Sequence, residues 1–271
     1  MAEQKLKKCC RKMKKLIKQQ EETINSLGEA VEELLHDKYY GDEEEVFQEE
    51  PGQYEPIDDG LIYRASPPPD IRWVSPRTKG WLLVLTDPGG KKVSLPEHLE
   101  LELTKQTPAR DYVTALEGIH KGKKFSIKTG YITDADPHKP FVTMEFNKRT
   151  TPTKGYTHDL VVTQKIPRPA PKQPRTVKKK VPAMTDPQNP VPTGVHNVQI
   201  PDYPHGLGAG YGNKGTLWFL IKPRSGAKYV HPGRISAGCV TCMPDKWQPI
   251  YDMLITARLN DGEHVGTIIV P

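Results

Sequence analysis

The residues most able to take part in a reaction are a histidine and a cysteine near the C-terminus. His231 follows the apolar segment AKYV, and Cys239 comes eight residues later, directly after Ala237 and Gly238. A nucleophilic cysteine needs a neighbouring base or cation and main-chain N–H groups for the oxyanion. A turn of small residues lets a substrate carbonyl approach those amides. The pattern therefore indicates a Cys–His pair for acyl transfer; the alternative is a buried structural cysteine and a loop histidine.

Short strands and one helix are predicted around this pair. Alternating or continuous apolar runs predict strands, namely GVHNVQI, GTLWFLI, AKYVHPG and HVGTIIV. The segment 245–262 has apolar residues at helical spacing and Gly262 beyond them, which predicts an amphipathic helix. His231 then lies at a strand end, and a tight loop connects it to Cys239. This arrangement brings the two side chains together.

The C-terminal region resembles the catalytic domain of the L,D-transpeptidases, the YkuD-like family. Members carry a Pro-Thr-Gly turn before a strand, a second strand, a histidine at a strand end, and a Ser/Thr-x-Gly-Cys-Ile/Val signature. The same pieces occur here in the same order as Pro192-Thr193-Gly194, Gly215-Thr216-Leu217-Trp218, His231-Pro232-Gly233 and Ser236-Ala237-Gly238-Cys239-Val240. The likeness covers roughly residues 190–271. Where the family commonly has an arginine after Cys-Ile/Val, this chain has Thr241.

The resemblance implies a mainly β fold, an L,D-transpeptidase-like β-sandwich with a short helix. It also implies that Cys239 attacks a stem peptide of peptidoglycan and forms a thioester, with His231 as general base and acid. An amine or water then resolves the thioester, giving a cross-link, an exchanged amino acid or hydrolysis. Amides near Gly238 and Val240 would form the oxyanion hole, and Ser236 would orient the site. The remaining candidates are residues for the substrate cleft, namely His205, Gly233, Trp218 and Tyr229.

A metal or cofactor site is not predicted. Cys239 and Cys242 form one Cys-x-x-Cys, whereas structural zinc needs four ligands, and His231 would supply only a third. His205 lies in the glycine-rich segment PDYPHGLGAGYG, which lacks the features of a phosphate-binding loop. That loop is interpreted as a cover over the substrate groove, and the alternative for His205 is an ordinary surface histidine.

The N-terminal residues 1–38 are predicted to form a coiled-coil helix. Their seam has steps of four and three residues and consists of Leu6, Cys10, Met13, Ile17, Gln20, Ile24, Leu27, Val31 and Leu34. β-branched residues at one seam position and leucines at the other favour a parallel homo-oligomer through residues 1–37. The alternative is a single amphipathic helix that lies on its own domain or on a membrane surface.

Charge is segregated along the chain, although the total is only +6. Residues 1–20 hold eight basic residues and one acid, and residues 21–60 hold fifteen acids and one lysine. The remaining residues hold thirty basic and seventeen acidic side chains, which favours an anionic partner such as a wall polymer. Residues 39–60 are interpreted as an acidic linker, and 166–190 as a Pro/Lys-rich linker or insertion. Residues 61–165 are a β-rich accessory region or the first part of the catalytic domain, and 191–271 are the catalytic core.

Two functions are compatible with these features. The first is a cysteine acyltransferase or peptidase that modifies peptidoglycan. The second is a structural subunit of a phage virion or secretion particle that carries such a domain, active or degenerate, and docks to other particle proteins. No transmembrane segment or secretory signal is predicted, so the protein would reach the cell wall or periplasm in a particle and otherwise stay in the cytoplasm. Nucleic acid is not the expected partner, because no binding motif accompanies the basic runs.

Overall fold

A computed structural model describes residues 69–221 and 226–271, apart from the side chain of residue 213. The predicted coiled coil and acidic linker lie outside these residues. The described chain is mainly β, as the sequence predicted. Residues Pro69–Pro271 form one compact unit. No helix within the described ranges is long and apolar enough to cross a membrane.

The first part of this unit is a seven-stranded antiparallel sheet. Its strands are β1 (Ile71–Val74), β2 (Trp81–Thr86), β3 (Lys92–Pro96), β4 (Glu100–Gln106), β5 (Arg110–Ala115), β6 (Lys124–Lys128) and β7 (Ile132–Thr133). They are ordered β3-β2-β6-β5-β4-β1-β7. Strand β5 alternates strictly between buried and half-buried positions, so one face of the sheet contributes Val113 and Ala115 to the core.

The second part is a closed barrel of eight strands in the order β10-β11-β15-β14-β13-β12-β17-β9. The elements after β7 are β8 (Lys139–Pro140), β9 (Val142–Thr153), β10 (Tyr156–Ile166), β11 (Arg175–Met184), β12 (Gly194–Gln199), β13 (Phe219–Ile221), β14 (Lys228–Pro232), β15 (Val240–Cys242), α1 (Gln248–Leu254), β16 (Ala257–Arg258) and β17 (His264–Val270). Strands β8 and β16 pair separately. Barrel neighbours are antiparallel except for β14 with β15 and β17 with β9.

The segment 166–190 differs from its interpretation as a linker, because it contains barrel strand β11. This strand pairs with β10 from Ile166↔Arg175 to His158↔Ala183, and its last two residues pair with β15. The composition is misleading for a physical reason. The end of β11 contributes Val181 and Ala183 to the core, while its first half is mostly exposed, carries lysines and packs against the core only through half-buried Val177.

The barrel also changes the domain boundaries expected from the sequence. Residues 71–133 form the first sheet, whereas 142–166 supply β9 and β10, the two longest strands of the barrel. The region 191–271 therefore does not close on itself and is completed by strands that precede it. The helix predicted over 245–262 is shorter, since α1 spans Gln248–Leu254 and the chain continues into β16.

Candidate functional site

The candidate nucleophile lies in a short loop between two parallel strands. Strand β14 ends at Pro232, and β15 begins at Val240, directly after Cys239. Parallel neighbours usually need a connection of a dozen or more residues. Here seven residues connect the two strands. They are enough because Val240, the first residue of β15, pairs with Val230, only two positions before the end of β14.

The register of these strands sets the segment that follows Cys239 against His231. His231 pairs with Thr241. Thr241 is two residues after Cys239, and its Oγ1 lies 3.2 Å from Nε2 of His231. Cys239 is half-buried, whereas His231 is buried. The spacing of eight residues thus puts Cys239 directly before the strand that pairs with the end of β14, where His231 lies.

Hydrogen bonds define the tautomer of His231. Its Nδ1 lies 2.9 Å from the carbonyl oxygen of Pro232, which only accepts, so Nδ1 carries the proton. Nε2 is then the acceptor for the Thr241 hydroxyl. Burial lowers the pKa of His231 to about 4, while the Pro232 carbonyl raises that pKa and the charge of His205 lowers it further. His231 is therefore neutral at pH 7, with the Nε2 lone pair on the side of Thr241.

The turn before Cys239 is organised by two hydroxyl groups. Ser236 Oγ donates to the carbonyl of Cys239 at 2.9 Å and accepts from the N–H of Gly238 at 3.2 Å. Thr185 Oγ1 donates to the carbonyl of Gly238 at 3.0 Å. In a trans peptide the N–H points away from the C=O, so the Cys239 N–H is directed away from Thr185. The Ser236 hydroxyl thus joins the two ends of the turn that contains Gly238.

The main-chain amides that were predicted to form the oxyanion hole have different surroundings. The N–H of Gly238 is engaged by Ser236, and Val240 is buried in β15 opposite Val230. The N–H of Cys239 belongs to the peptide whose carbonyl accepts from Thr185, so it points away from that hydroxyl.

Gly238 cannot be replaced without moving its surroundings. Its φ is +115°, and a Cβ at this position would lie 2.0 Å from the carbonyl oxygen of Asn189 and 2.3 Å from Nζ of Lys228. Both a left-handed backbone and a lack of space therefore require glycine before the candidate nucleophile.

Aromatic side chains form a stack behind His231. The indole of Trp218 lies between two imidazoles, with ring centroids 4.0 Å from His231 and 4.3 Å from His205. Tyr229 contacts both Trp218 and His205 through the edges of the rings. Nε2 of His205 lies 3.1 Å from a carboxylate oxygen of Asp202. His205, Trp218 and Tyr229 are buried, so they support His231 from within rather than line an open cleft.

The glycine-rich loop holds this stack in place. It forms two 3-10 turns, Gly206–Tyr211 and Asn213–Thr216. A Cβ on Gly208 would lie 1.8 Å from the carbonyl oxygen of Gly215, and the same carbonyl accepts the indole N–H of Trp218 at 2.9 Å. The glycines therefore allow a close backbone approach that orients the indole.

Gly233 fixes the start of the loop. Its N–H donates to the carbonyl of Cys242, and its own carbonyl accepts from the Tyr156 hydroxyl at 2.8 Å. A Cβ on Gly233 would lie 2.7 Å from Cγ2 of Thr241, so only glycine leaves room for the threonine that contacts His231.

Several residues of this site were not identified from the sequence. Thr241 was visible as a departure from the family signature, but its contact with His231 follows from the strand register. Tyr156, Thr185 and Lys228 gave no signal, because their roles depend on pairings with distant or neighbouring strands. Lys228 donates from Nζ to the carbonyls of Asn189 and Ala237.

The second cysteine of the Cys-x-x-Cys is separate from the site. Cys242 is fully buried, and burial raises the pKa of its thiol. Cys242 is part of the hydrophobic core, and no disulfide joins it to Cys239.

One acidic cluster in the described part of the chain has its side-chain ligand atoms close enough for a metal ion, namely Glu100, Glu117 and His138. Arg258 already binds both carboxylate oxygens of Glu117, at 2.6 and 2.7 Å. His138 lies 2.9 Å from the carbonyl of His98. The group is thus an ion-pair network between the first sheet and the segment after α1.

Comparisons with known proteins do not assign the chain to a family. No family model matches the sequence, and no curated protein or solved structure matches it. The likeness to the L,D-transpeptidases consequently stays a prediction from the motifs, and the geometry around Cys239 and His231 is the basis for a functional conclusion.

Proposed function

We propose that the chain is a cysteine acyltransferase or peptidase that acts through a thioester on Cys239. The observation that carries this proposal is the parallel pairing of β14 with β15. A neutral histidine, with its Nδ1–H held by the Pro232 carbonyl, lies on β14, and the half-buried Cys239 directly precedes the strand paired with it. A base in a fixed tautomer and an accessible thiol on adjoining segments support acyl transfer.

The reaction begins from a thiol and a neutral imidazole. Nε2 of His231 accepts the thiol proton as the sulfur of Cys239 attacks a peptide carbonyl, and the Thr241 hydroxyl turns away from Nε2 to permit it. The oxyanion lies against the Cys239 N–H. The C–N bond then breaks, the leaving amine takes the proton from His231, and the thioester remains. A second amine or water resolves the thioester by the same steps in reverse.

The substrate class comes from the resemblance to L,D-transpeptidases. We propose stem peptides of peptidoglycan as the acyl donors and an L,D-transpeptidase-like domain as the catalytic unit. A net excess of basic residues after residue 60 supports a wall polymer as partner. Thr241 stands where the family commonly has an arginine, and its hydroxyl contacts the proposed base, His231.

Mass spectrometry of the protein incubated with tetrapeptide muropeptides tests the proposal. We expect an acyl adduct on Cys239 and cross-linked, exchanged or hydrolysed muropeptides, both abolished by Cys239→Ala. Cys242→Ala is the matched control and should leave the adduct in place, because Cys242 faces the core. A folded protein that forms neither adduct nor product refutes the enzyme. The alternative function, as a subunit of a virion or secretion particle, is then tested by assembly. If the Cys239→Ala variant still assembles into the particle, the Cys–His motif has no role in that function.

A further inference from the structure

The structure contains a buried ammonium group under the Cys239 turn. Lys228 is the first residue of β14, and only 7% of its surface is exposed. Nζ donates to the carbonyls of Asn189 at 3.3 Å and Ala237 at 3.4 Å. No ion pair joins it to a carboxylate of residues 69–221 or 226–271. Buried charges are normally paired, because removing them from water is costly, and here two carbonyl oxygens are the hydrogen-bond partners of the ammonium.

The position of this charge relates it to the candidate nucleophile. One carbonyl partner belongs to Ala237, two residues before Cys239, and a Cβ on Gly238 would lie 2.3 Å from Nζ. Lys228 therefore touches the backbone of the residue next to Cys239.

The other ionisable groups near the turn do not supply this charge. His231 is neutral at pH 7, and Arg234 is exposed to water in the same loop. The titratable and charged groups on the segments around Cys239 include His231 and Tyr229 on β14, Arg234 in the loop, Tyr211 whose hydroxyl accepts the Arg234 N–H, Asp186 in the segment after β11, Tyr156 on β10, Cys242 on β15, and His205 behind Trp218. Among these segments, Lys228 carries the buried positive charge.

We propose that Lys228 is a positioning residue that holds the Cys239 turn and stabilises the thiolate as it forms. The ammonium draws the Ala237 carbonyl toward itself, which fixes the peptide before Gly238, while its positive charge favours the anionic sulfur. The inference rests on the proposed function only in that Cys239 reacts as a nucleophile. It applies to any acyl substrate.

The rate of alkylation of Cys239 by iodoacetamide tests this role without a wall substrate. The thiolate displaces iodide and forms an S–C bond, so the rate follows the thiolate fraction between pH 5 and 10. Tandem mass spectrometry assigns the label to Cys239. The midpoint is the pH at which the alkylation rate reaches half of its maximum. We expect Lys228→Met to raise this midpoint by about one pH unit, which lowers the alkylation rate at pH 7 roughly tenfold. Lys228→Arg keeps the charge and should restore the midpoint.

Lys180→Met is the matched control, because Lys180 is a mostly exposed lysine of β11 paired with Asp159. Its midpoint should equal that of the wild type. A Lys228→Met protein with a native near-UV spectrum and an unchanged midpoint overturns the proposal. If Lys228→Met fails to fold, Lys228→Gln provides the same comparison, since its amide can still donate to the two carbonyls without a charge.

The two proposals fail in different ways. A midpoint that depends on Lys228 in a protein without activity on muropeptides rejects the wall substrate and supports the role of Lys228. Formation of muropeptide products with a midpoint independent of Lys228 supports the enzyme and rejects this inference.

Discussion

Acidification from pH 7 to pH 4 should destabilise the fold through His231. The imidazole is buried between Trp218 and β15, and its pKa falls from 6.5 to about 4 in the folded chain. In the unfolded chain the same group takes up a proton near pH 6.5. Stability contributed by neutral His231 is therefore complete above pH 6.5 and is lost as the pH falls toward 4.

The size of this loss follows from the difference between the two pKa values. Each unit corresponds to about 1.4 kcal/mol, so the protonation of His231 costs the folded state about 3 kcal/mol at pH 4. His98 and His120 have pKa values lowered to about 4 by burial as well, so the total loss in the wild type is larger. The contribution of His231 is isolated by comparison with His231→Gln, which has no titrating group at this position.

Urea unfolding at pH 7, 6, 5 and 4 measures the effect. His231→Gln is expected to be less stable than the wild type at pH 7, and the difference should shrink by about 3 kcal/mol at pH 4. Cys239→Ala is the control and should keep the pH slope of the wild type. A difference between wild type and His231→Gln that stays constant over this range would refute the argument that burial keeps His231 neutral. The acid limb of the proposed activity should likewise lie near pH 4.

Two further predictions concern the reactivity and the stability of other groups. Iodoacetamide at pH 7 should label Cys239 and leave Cys242 unmodified in the folded protein, as read by peptide mass spectrometry, and equal labelling would contradict the burial of Cys242. Arg258→Met should lower the free energy of unfolding by about 3–5 kcal/mol because it leaves Glu117 buried and unpaired. The exposed ion pair of Arg72 is the control, where Arg72→Met should cost less than about 1 kcal/mol, and similar losses in urea unfolding would contradict the assigned burial.

Local sequence patterns were sufficient for the strands that carry the candidate site. The alternation in GVHNVQI predicts β12, and the apolar segment AKYV before His231 predicts β14. Both patterns depend on residues one or two positions apart, so they can be recognised from the sequence alone.

Contacts from distant segments were not predictable in the same way. Thr185 reaches the turn at Gly238 because β11 ends beside β15, and Tyr156 reaches Gly233 from β10. These contacts depend on the closure of the barrel, and no local period reports it. Strand β11 was not predicted because its lysines dominate the composition of the segment. That composition reflects the exposed first half of the strand and not the two core residues near its end.

The barrel closure explains why the site needs more than the two residues of the motif. Strand β15 is only three residues long, and it is held on one side by β14 and on the other by the end of β11. Pairing with β14 sets the register of Thr241 against His231. Pairing with Met184 at the end of β11 fixes the same residue from the other side, next to the Thr185 hydroxyl that orients Gly238. Because a three-residue strand has little stability of its own, the geometry of Cys239 depends on both neighbours.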